Sequence, residues 1–429
     1  MRSRSQGRLV LLLLFDVLLA IPATAADLPS PAGPLTLREA LATALLGSPE
    51  LAVFSWELRA KEAEVLQAGL LPNPELSTEI EDFGGTGDRL AFEQTQITVS
   101  LAQLIELGGK RAKRLRLAAL DRDLATWDYE VARLNVVAGV SKAFTATLAA
   151  QQRLQLFGEL VGLARRSVAA VATQVKAGAT SPVELMRAEA ALGRTETQLR
   201  QAERDLANAR TALAVTWGSA TPGFTAVVGD LVPVITPPSV GNLLDAIQSN
   251  PDVARWVTEI EQRTAALAVE KARAIPSLTV GLGGRQFTDN GDKALVAGFS
   301  LPLPLFNRNQ GNILAADRWL AQAEAARDRA TVAVQRALAA AYEDLRAAYA
   351  QVVTLRDEVL PKAEGAFAGA RDAYQRGLLR FLDVLDAQRT LFETRDQYVQ
   401  TLAAYHIAAA DIERLSGIPL TGTDLEEGK

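Results

Sequence analysis

The sequence predicts a mainly α fold with a small β part, organised as a duplicated unit of helix, β-hairpin and long helical hairpin. Three observations carry this. Lys176–Leu185 (KAGATSPVEL) is answered 199 residues later by Gln375–Val384 (QRGLLRFLDV). Beyond each copy runs a heptad at the same offset, Leu192, Leu199, Leu206 and Leu213 against Leu391, Tyr398, Tyr405 and Ile412. Ahead of each copy, residues 110–176 contain no proline and residues 310–376 contain only Pro361. A helix of that size extends about 100 Å at about 1.5 Å per residue, and its sustained 3- and 4-residue spacing suits packing against other rods. Examples are Leu134, Val137, Ser141, Phe144 and Leu148, and in the second copy Leu338, Tyr342, Leu345, Tyr349 and Val352.

The elements follow in order. Arg2, Arg4 and Arg8 precede an apolar stretch from Leu9 to Ile21, and Ala23-Thr24-Ala25 supplies small residues, so residues 1–25 read as a signal peptide. Its removal would take three Arg and one Asp and change the net charge from −5 to −7. The first repeat spans 26–220. It opens on a helix from Leu37 to Leu70 that breaks at Ser48-Pro49, because the residue before proline disfavours the α region. Strands at 74–82 and 89–101 then flank a Gly-rich turn, Phe83 to Asp88. The long helix at 109–176 ends at Gly178, which supplies positive φ. Ser181-Pro182 offers an N-cap and a first-turn proline for the returning helix at 181–217.

Residues 221–241 read as a linker, since Thr221 to Pro238 holds four prolines. The second repeat, 242–418, has the same order. A helix from Leu243 to Ala274 breaks at Asn250-Pro251, and strands at 277–287 and 294–301 flank Thr288 to Lys293. The long helix at 309–376 turns at Gly377 into a returning helix at 380–416, and 419–429 form a tail. In the second hairpin Leu278, Val280 and Leu282 alternate with Thr279, Gly281 and Gly283, as in a strand with one apolar face and one wet face. Alternation alone also fits a half-buried hairpin in a soluble domain. Four strands cannot close a useful barrel, so a barrel requires several chains.

The chemistry on offer is sparse. The chain has one histidine and no cysteine, which removes the usual nucleophile–base constellations and common zinc sites. His406 lies in a helical pattern and reads as a packed residue without ligand partners. Leu107-Gly108-Gly109-Lys110-Arg111 lacks the glycine spacing and the Ser/Thr of a phosphate loop. The acidic balance argues against nucleic acid. No enzyme and no cofactor are indicated.

With these residues in view, the chain resembles the TolC-type outer-membrane efflux proteins over essentially the whole length after the signal segment. The most specific pieces are Gly377 to Leu391 (GLLRFLDVLDAQRTL) and the run from Leu71-Pro72-Asn73-Pro74-Glu75-Leu76, through Glu81-Asp82-Phe83-Gly84-Gly85, to Leu107-Gly108-Gly109-Lys110-Arg111. The latter is similar to the heavy-metal branch that serves cobalt-zinc-cadmium exporters with resistance-nodulation-division pumps. The resemblance implies a homotrimer with a 12-stranded barrel in the lipid of a Gram-negative outer membrane, continued by a periplasmic helical tunnel. It further implies a periplasmic adaptor and an inner-membrane pump as partners, and passive conduction of heavy-metal cations. A drug or type I protein-secretion duct, and more remotely a soluble periplasmic coiled-coil scaffold, are the alternatives. By the same resemblance Gly178, Ser181, Glu184, Leu185, Gly377, Arg380, Asp383 and Leu385 fall in tip motifs that meet the adaptor. Asp383 and Asp386 match an acidic constriction, where rings of negative charge would favour cations. Arg187 stands where the second copy has Asp386, and is expected to bridge to an acid on a neighbouring helix and hold the entrance shut.

Overall fold

The structure is a computed structural model that describes residues 32–420. The signal segment 1–25 and all of the tail beyond residue 420 lie outside the described residues. The chain runs β1 (Gly33–Thr36), α1 (Leu37–Gly47), α2 (Pro49–Ala68), β2 (Glu75–Glu81), β3 (Gln96–Ile105), α3 (Lys110–Lys176), α4 (Pro182–Val215) and β4 (Phe224–Val228). The second half runs α5 (Val240–Ala246), α6 (Pro251–Arg273), β5 (Leu278–Phe287), β6 (Lys293–Ser300), α7 (Gln310–Thr354), α8 (Leu360–Gln375) and α9 (Phe381–Ser416).

Local chemistry accounts for the breaks. Thr36 and Glu39 form a capping box at the start of α1, and the resulting hydrogen bonds from Thr36 hold the Glu39 carboxyl below its usual range. Pro49 and Pro251 sit at first-turn positions of α2 and α6, where their missing N–H costs nothing. Asn250 caps α6 through Asp252 N–H, and its amide donates to the carbonyls of Arg414 and Leu415 at 2.9 Å each. One cap thereby ties the start of α6 to the end of α9.

The rods α3 and α7–α8 differ. The first is one unbroken helix of 67 residues, about 100 Å long. The second carries a π turn, Leu355–Val359, directly before Pro361. Proline has no N–H for the carbonyl four residues back, and a widened turn absorbs that loss. A continuous helix over 309–376 is therefore the point where the second rod departs from its sequence pattern.

Side by side, α2, α3, α6 and α7 form one half of a wall; towards the other end, α4, α3, α9 and α8 form the rest. A belt crosses the middle. There β1 pairs in parallel with β4, inside residues 221–241, so that stretch is structured rather than a plain linker. Phe224 and Trp217 meet edge to face at 6.1 Å and pack with Leu35, Val227 and Leu231 against Phe144 and Leu148 of α3. Two side chains clasp the strap from the rods. Gln151 of α3 bonds both the N–H and the carbonyl of Val227, at 2.7 and 2.9 Å. Tyr405 of α9 does the same to Ile235, at 3.0 and 2.9 Å.

The four remaining strands form one antiparallel sheet in the order β2–β3–β5–β6. The second strand occupies Gln96–Ile105 rather than 89–101. Leu90 and Phe92 mimic strand alternation, but a 3₁₀ turn at Gly87–Arg89 and a positive φ at Ala91 keep them in the turn. The ladder instead continues to Ile105, opposite Leu278.

Candidate functional site: a two-faced sheet and paired helical tips

The register sorts the sheet into two faces, because side chains alternate along each strand. Leu76, Thr78 and Ile80 align with Leu101, Val99 and Ile97 on β3. Those neighbour Leu282, Gly284 and Gln286 on β5, and Val280 and Leu282 lie beside Phe299 and Ala297 of β6. This face is apolar and open to the surroundings: Leu76, Leu282, Leu295 and Phe299 are all exposed. The opposite face carries Glu75, Ser77, Glu79 and Glu81, then Gln96, Thr98 and Ser100, then Arg285, Gly283 and Gly281. Arg285 donates to Glu81, Gln96 and Thr98 at 3.0, 3.0 and 2.8 Å, a cross-strand clamp on the polar face. Gly283 is required there, since a Cβ would stand 2.5 Å from the Val99 carbonyl oxygen. Strands β2 and β6 are the edges and are paired on one side only.

The sheet joins the rods through Arg114, which donates to the carbonyls of Ala68 and Leu70 at the end of α2 and pairs with Glu106 at 2.7 Å. Hydrogen bonding from Arg114 holds the Glu106 carboxyl below the usual range.

At the far end of the rods, both tips turn by the same device. Gly178 and Gly377 hold φ of 70° and 75°. Ala179 N–H donates to Gln174 O, and Leu378 N–H to Ala373 O, each at 2.8 Å, closing the last turn of each rod. Ser181 Oγ then accepts from Val183 N–H at 3.2 Å. In the second tip Asp383 does the capping, accepting from the Arg380 N–H at 3.0 Å. The tips touch each other: Tyr374 donates to Gln174 at 2.7 Å, and Phe381 packs with Val171 and Ala188 beside Leu185 and Leu385. The eight predicted tip residues thus lie at one end of the molecule. Val183, Met186, Leu378 and Leu382 are exposed apolar side chains beside them, which sequence patterning did not single out.

Arg187 behaves differently from expectation. It pairs with Glu184 of its own helix at 3.0 Å rather than with an acid on a neighbouring helix. The i, i+3 spacing offers that partner without any rearrangement. Arg187 and Asp386 line the same groove, formed by α4 and α9 across α3, without an ion pair between them. Asp383 is held in its cap, whereas Asp386 lines the groove together with Glu393 and Asp396 and with Arg187, Arg194 and Arg389.

Longer-range ion pairs were not legible in the sequence. Arg153 of α3 reaches Asp396 of α9 at 2.6 Å and Asp205 of α4 at 3.8 Å, a node between three helices. Arg165 of α3 pairs with Glu196 of α4 at 2.9 Å, and Glu364 of α8 pairs with Arg395 of α9 at 2.6 Å. Both members of the second pair stand 199 positions after the first, with the charges exchanged. The one signal that would have found them is that offset, applied to charged as well as apolar residues. His406 donates from Nε2 to Leu231 O at 2.9 Å beneath the belt, and burial pushes its pKa down.

Among the described residues no three His, Asp or Glu gather to hold a metal ion, and no helix is long and apolar enough to cross a membrane.

The family described as outer membrane efflux protein matches residues 40–219 and 242–418. The cobalt-zinc-cadmium resistance protein CzcC of Cupriavidus metallidurans is 36% identical over 389 residues, 90% of this chain and 91% of that one. The nickel-cobalt-cadmium resistance protein NccC of Alcaligenes xylosoxydans is 27% identical over 68% of this chain and 65% of its own. Among solved structures, CusC superposes with a TM-score of 0.74 at 18% identity, covering 89% of this chain and 92% of that one. The outer membrane protein VceC of Vibrio cholerae gives 0.72 at 19% identity, covering 89% and 96%. The fold is therefore that of TolC-like channels.

Proposed function

This chain belongs to the outer membrane efflux protein family, and we propose that it is the outer-membrane exit duct of a tripartite efflux system for heavy-metal cations. It works as a homotrimer and is no enzyme: the pump supplies the energy and solutes pass outward through water. The observation that carries this reading is the sheet, apolar on one face, polar on the other and open at both edges, standing at the end of the rods. An open edge is a row of unpaired backbone groups, and a membrane strand needs every one of them satisfied. Pairing β6 of one copy with β2 of the next satisfies them. The apolar side chains Val53, Trp56 and Leu66 on α2, and Leu314 and Val332 on α7, lie exposed on the two edge helices and suit the same contact.

The likeness to CzcC supports metal cations as the cargo. Glu75 and Glu79 on the inner wall favour positive solutes by charge alone. The tips, at Gly178, Ser181, Glu184, Leu185, Gly377, Arg380, Asp383 and Leu385, are the dock for a periplasmic adaptor that links the duct to an inner-membrane resistance-nodulation-division pump. Asp383 and Asp386 form the constriction. Arg187 acts there through its pair with Glu184. A strain deleted for this chain is expected to lose tolerance to zinc, cobalt or cadmium. Normal metal tolerance with broad drug sensitivity would overturn the assignment.

A further inference from the structure

The loop between β2 and β3 sits at the end of the sheet remote from the rods, and it has a built structure. Gly84 N–H donates to Ala91 O at 2.7 Å and Gly85 N–H to Arg89 O at 3.0 Å. Asp82 and Ala91 hold φ of 58° and 55°, a region that non-glycine residues enter only when their surroundings fix them. The rings of Phe83 and Phe92 stack with centroids 6.3 Å apart and planes 6° apart. Together with Leu90 they stay 56%, 68% and 59% exposed, so this ordered apolar knob has no cover among the described residues.

The base of the loop is tied to the polar face of the sheet, and at its far end the Thr95 carbonyl accepts from the N–H and the hydroxyl of Thr288 in the β5–β6 turn. Gln96, whose Oε1 accepts from Arg285, donates from Nε2 to Asp82 at 2.9 Å, and Asp82 pairs with Arg89. Gln96 and Arg285 stand on the polar face by register, so the tether starts from that face. We propose that the loops 83–92 of three copies lean over the lumen and meet around the threefold axis through Phe83, Leu90 and Phe92. They make an apolar collar that narrows the outer mouth. The proposal rests on the trimeric-duct reading.

The dimensions permit it. A 12-stranded barrel with strands about 4.8 Å apart and tilted about 40° has a radius of about 12 Å. The knob begins at Phe83, two residues past β2, so its backbone reaches about 7 Å from the strand end at about 3.3 Å per residue, and its ring covers most of the remaining distance to the axis. The occupant of the knob is the neighbouring copy rather than lipid, because the tether starts from the lumen side.

The chain has no cysteine, so Phe92→Cys in the full-length protein places a single thiol on the knob. A disulfide requires Cα atoms within about 7 Å, so oxidation in isolated outer membranes reports whether the loops meet. Covalent dimers are expected, saturating at about two thirds of the chain because each bond uses two of three thiols. Leu90→Cys gives the same test at a second position. Arg285→Gln added to Phe92→Cys is expected to lower the yield several-fold while the trimer persists; an unchanged yield would remove the tether from the account. Trimer assembly is read separately from the mass of the unoxidised protein in detergent. Absence of the trimer would sink the duct reading. An intact trimer without cross-links at either position, whose thiol-bound fluorophore is quenched by lipid-borne nitroxide, would overturn the collar and place the knob in the membrane.

Discussion

At the residue scale, three side chains carry measurable consequences. Burial keeps His406 neutral, with a folded-state pKa below the ordinary value of about 6.5. The unfolded chain then binds the extra proton. The stability linked to His406 is fully present above about pH 6.5 and falls as the pH drops below it. The thermal midpoint in detergent is expected to fall between pH 7 and pH 5 (about neutral to mildly acidic), and His406→Gln to flatten the part of that slope that titrates near about pH 6.5. An unchanged slope in the variant would assign the dependence to other groups. At the tip, Asp386→Asn is expected to lower cation-over-anion selectivity several-fold in planar bilayers, read from the reversal potential. Arg187→Ala is expected to free Glu184 and alter channel leakiness; unchanged conductance and leakiness would take Arg187 out of gating. On the sheet, Gly283→Ala forces its new methyl against Val99 O, an overpacking that costs about 1–3 kcal/mol. Its trimers are expected to dissociate at a lower temperature than the wild type.

At the scale of elements, legibility followed the type of signal. Glycine at the tips and proline at first-turn positions act within a few residues of themselves: α4 starts at Pro182 and α9 four residues past Gly377. The extent of the β2–β3 turn is not legible in the sequence, because Leu90 and Phe92 repeat the period of a strand while backbone φ at Asp82 and Ala91 leaves no trace in composition. The strap 221–241 looked like a linker because its order comes from Gln151 and Tyr405, side chains at distant positions on other elements. The same distance hid the ion pairs of Arg153. The π turn makes a prediction of its own. Amide exchange at 355–359 is expected to exceed that at 156–160, the equivalent level of α3, and Pro361→Ala to narrow the gap. Equal rates at the two levels in the wild type would show that the turn is no weak point.

For the whole molecule, the sequence contained both halves of the wall but only one side of each contact between copies. The heptad of α4 shows this: Leu213 is buried within the chain, whereas Leu192, Leu199 and Leu206 are only partly covered. In α9 the matching Leu391, Tyr405 and Ile412 are buried. In the proposed trimer the less covered side of the first copy would face a neighbouring copy, which a single chain cannot supply. The two copies also face a hazard common to duplicated chains, since the second returning helix resembles the first closely enough to settle beside the wrong rod. The exchanged pair Arg165–Glu196 and Glu364–Arg395 bears on this. Were α9 to lie along α3 in place of α4, Arg165 would meet Arg395; the stranded helices would oppose Glu364 with Glu196. Each exposed pair is worth less than about 1 kcal/mol when correct. A change of sign at both sites nonetheless distinguishes the two similarly built hairpins.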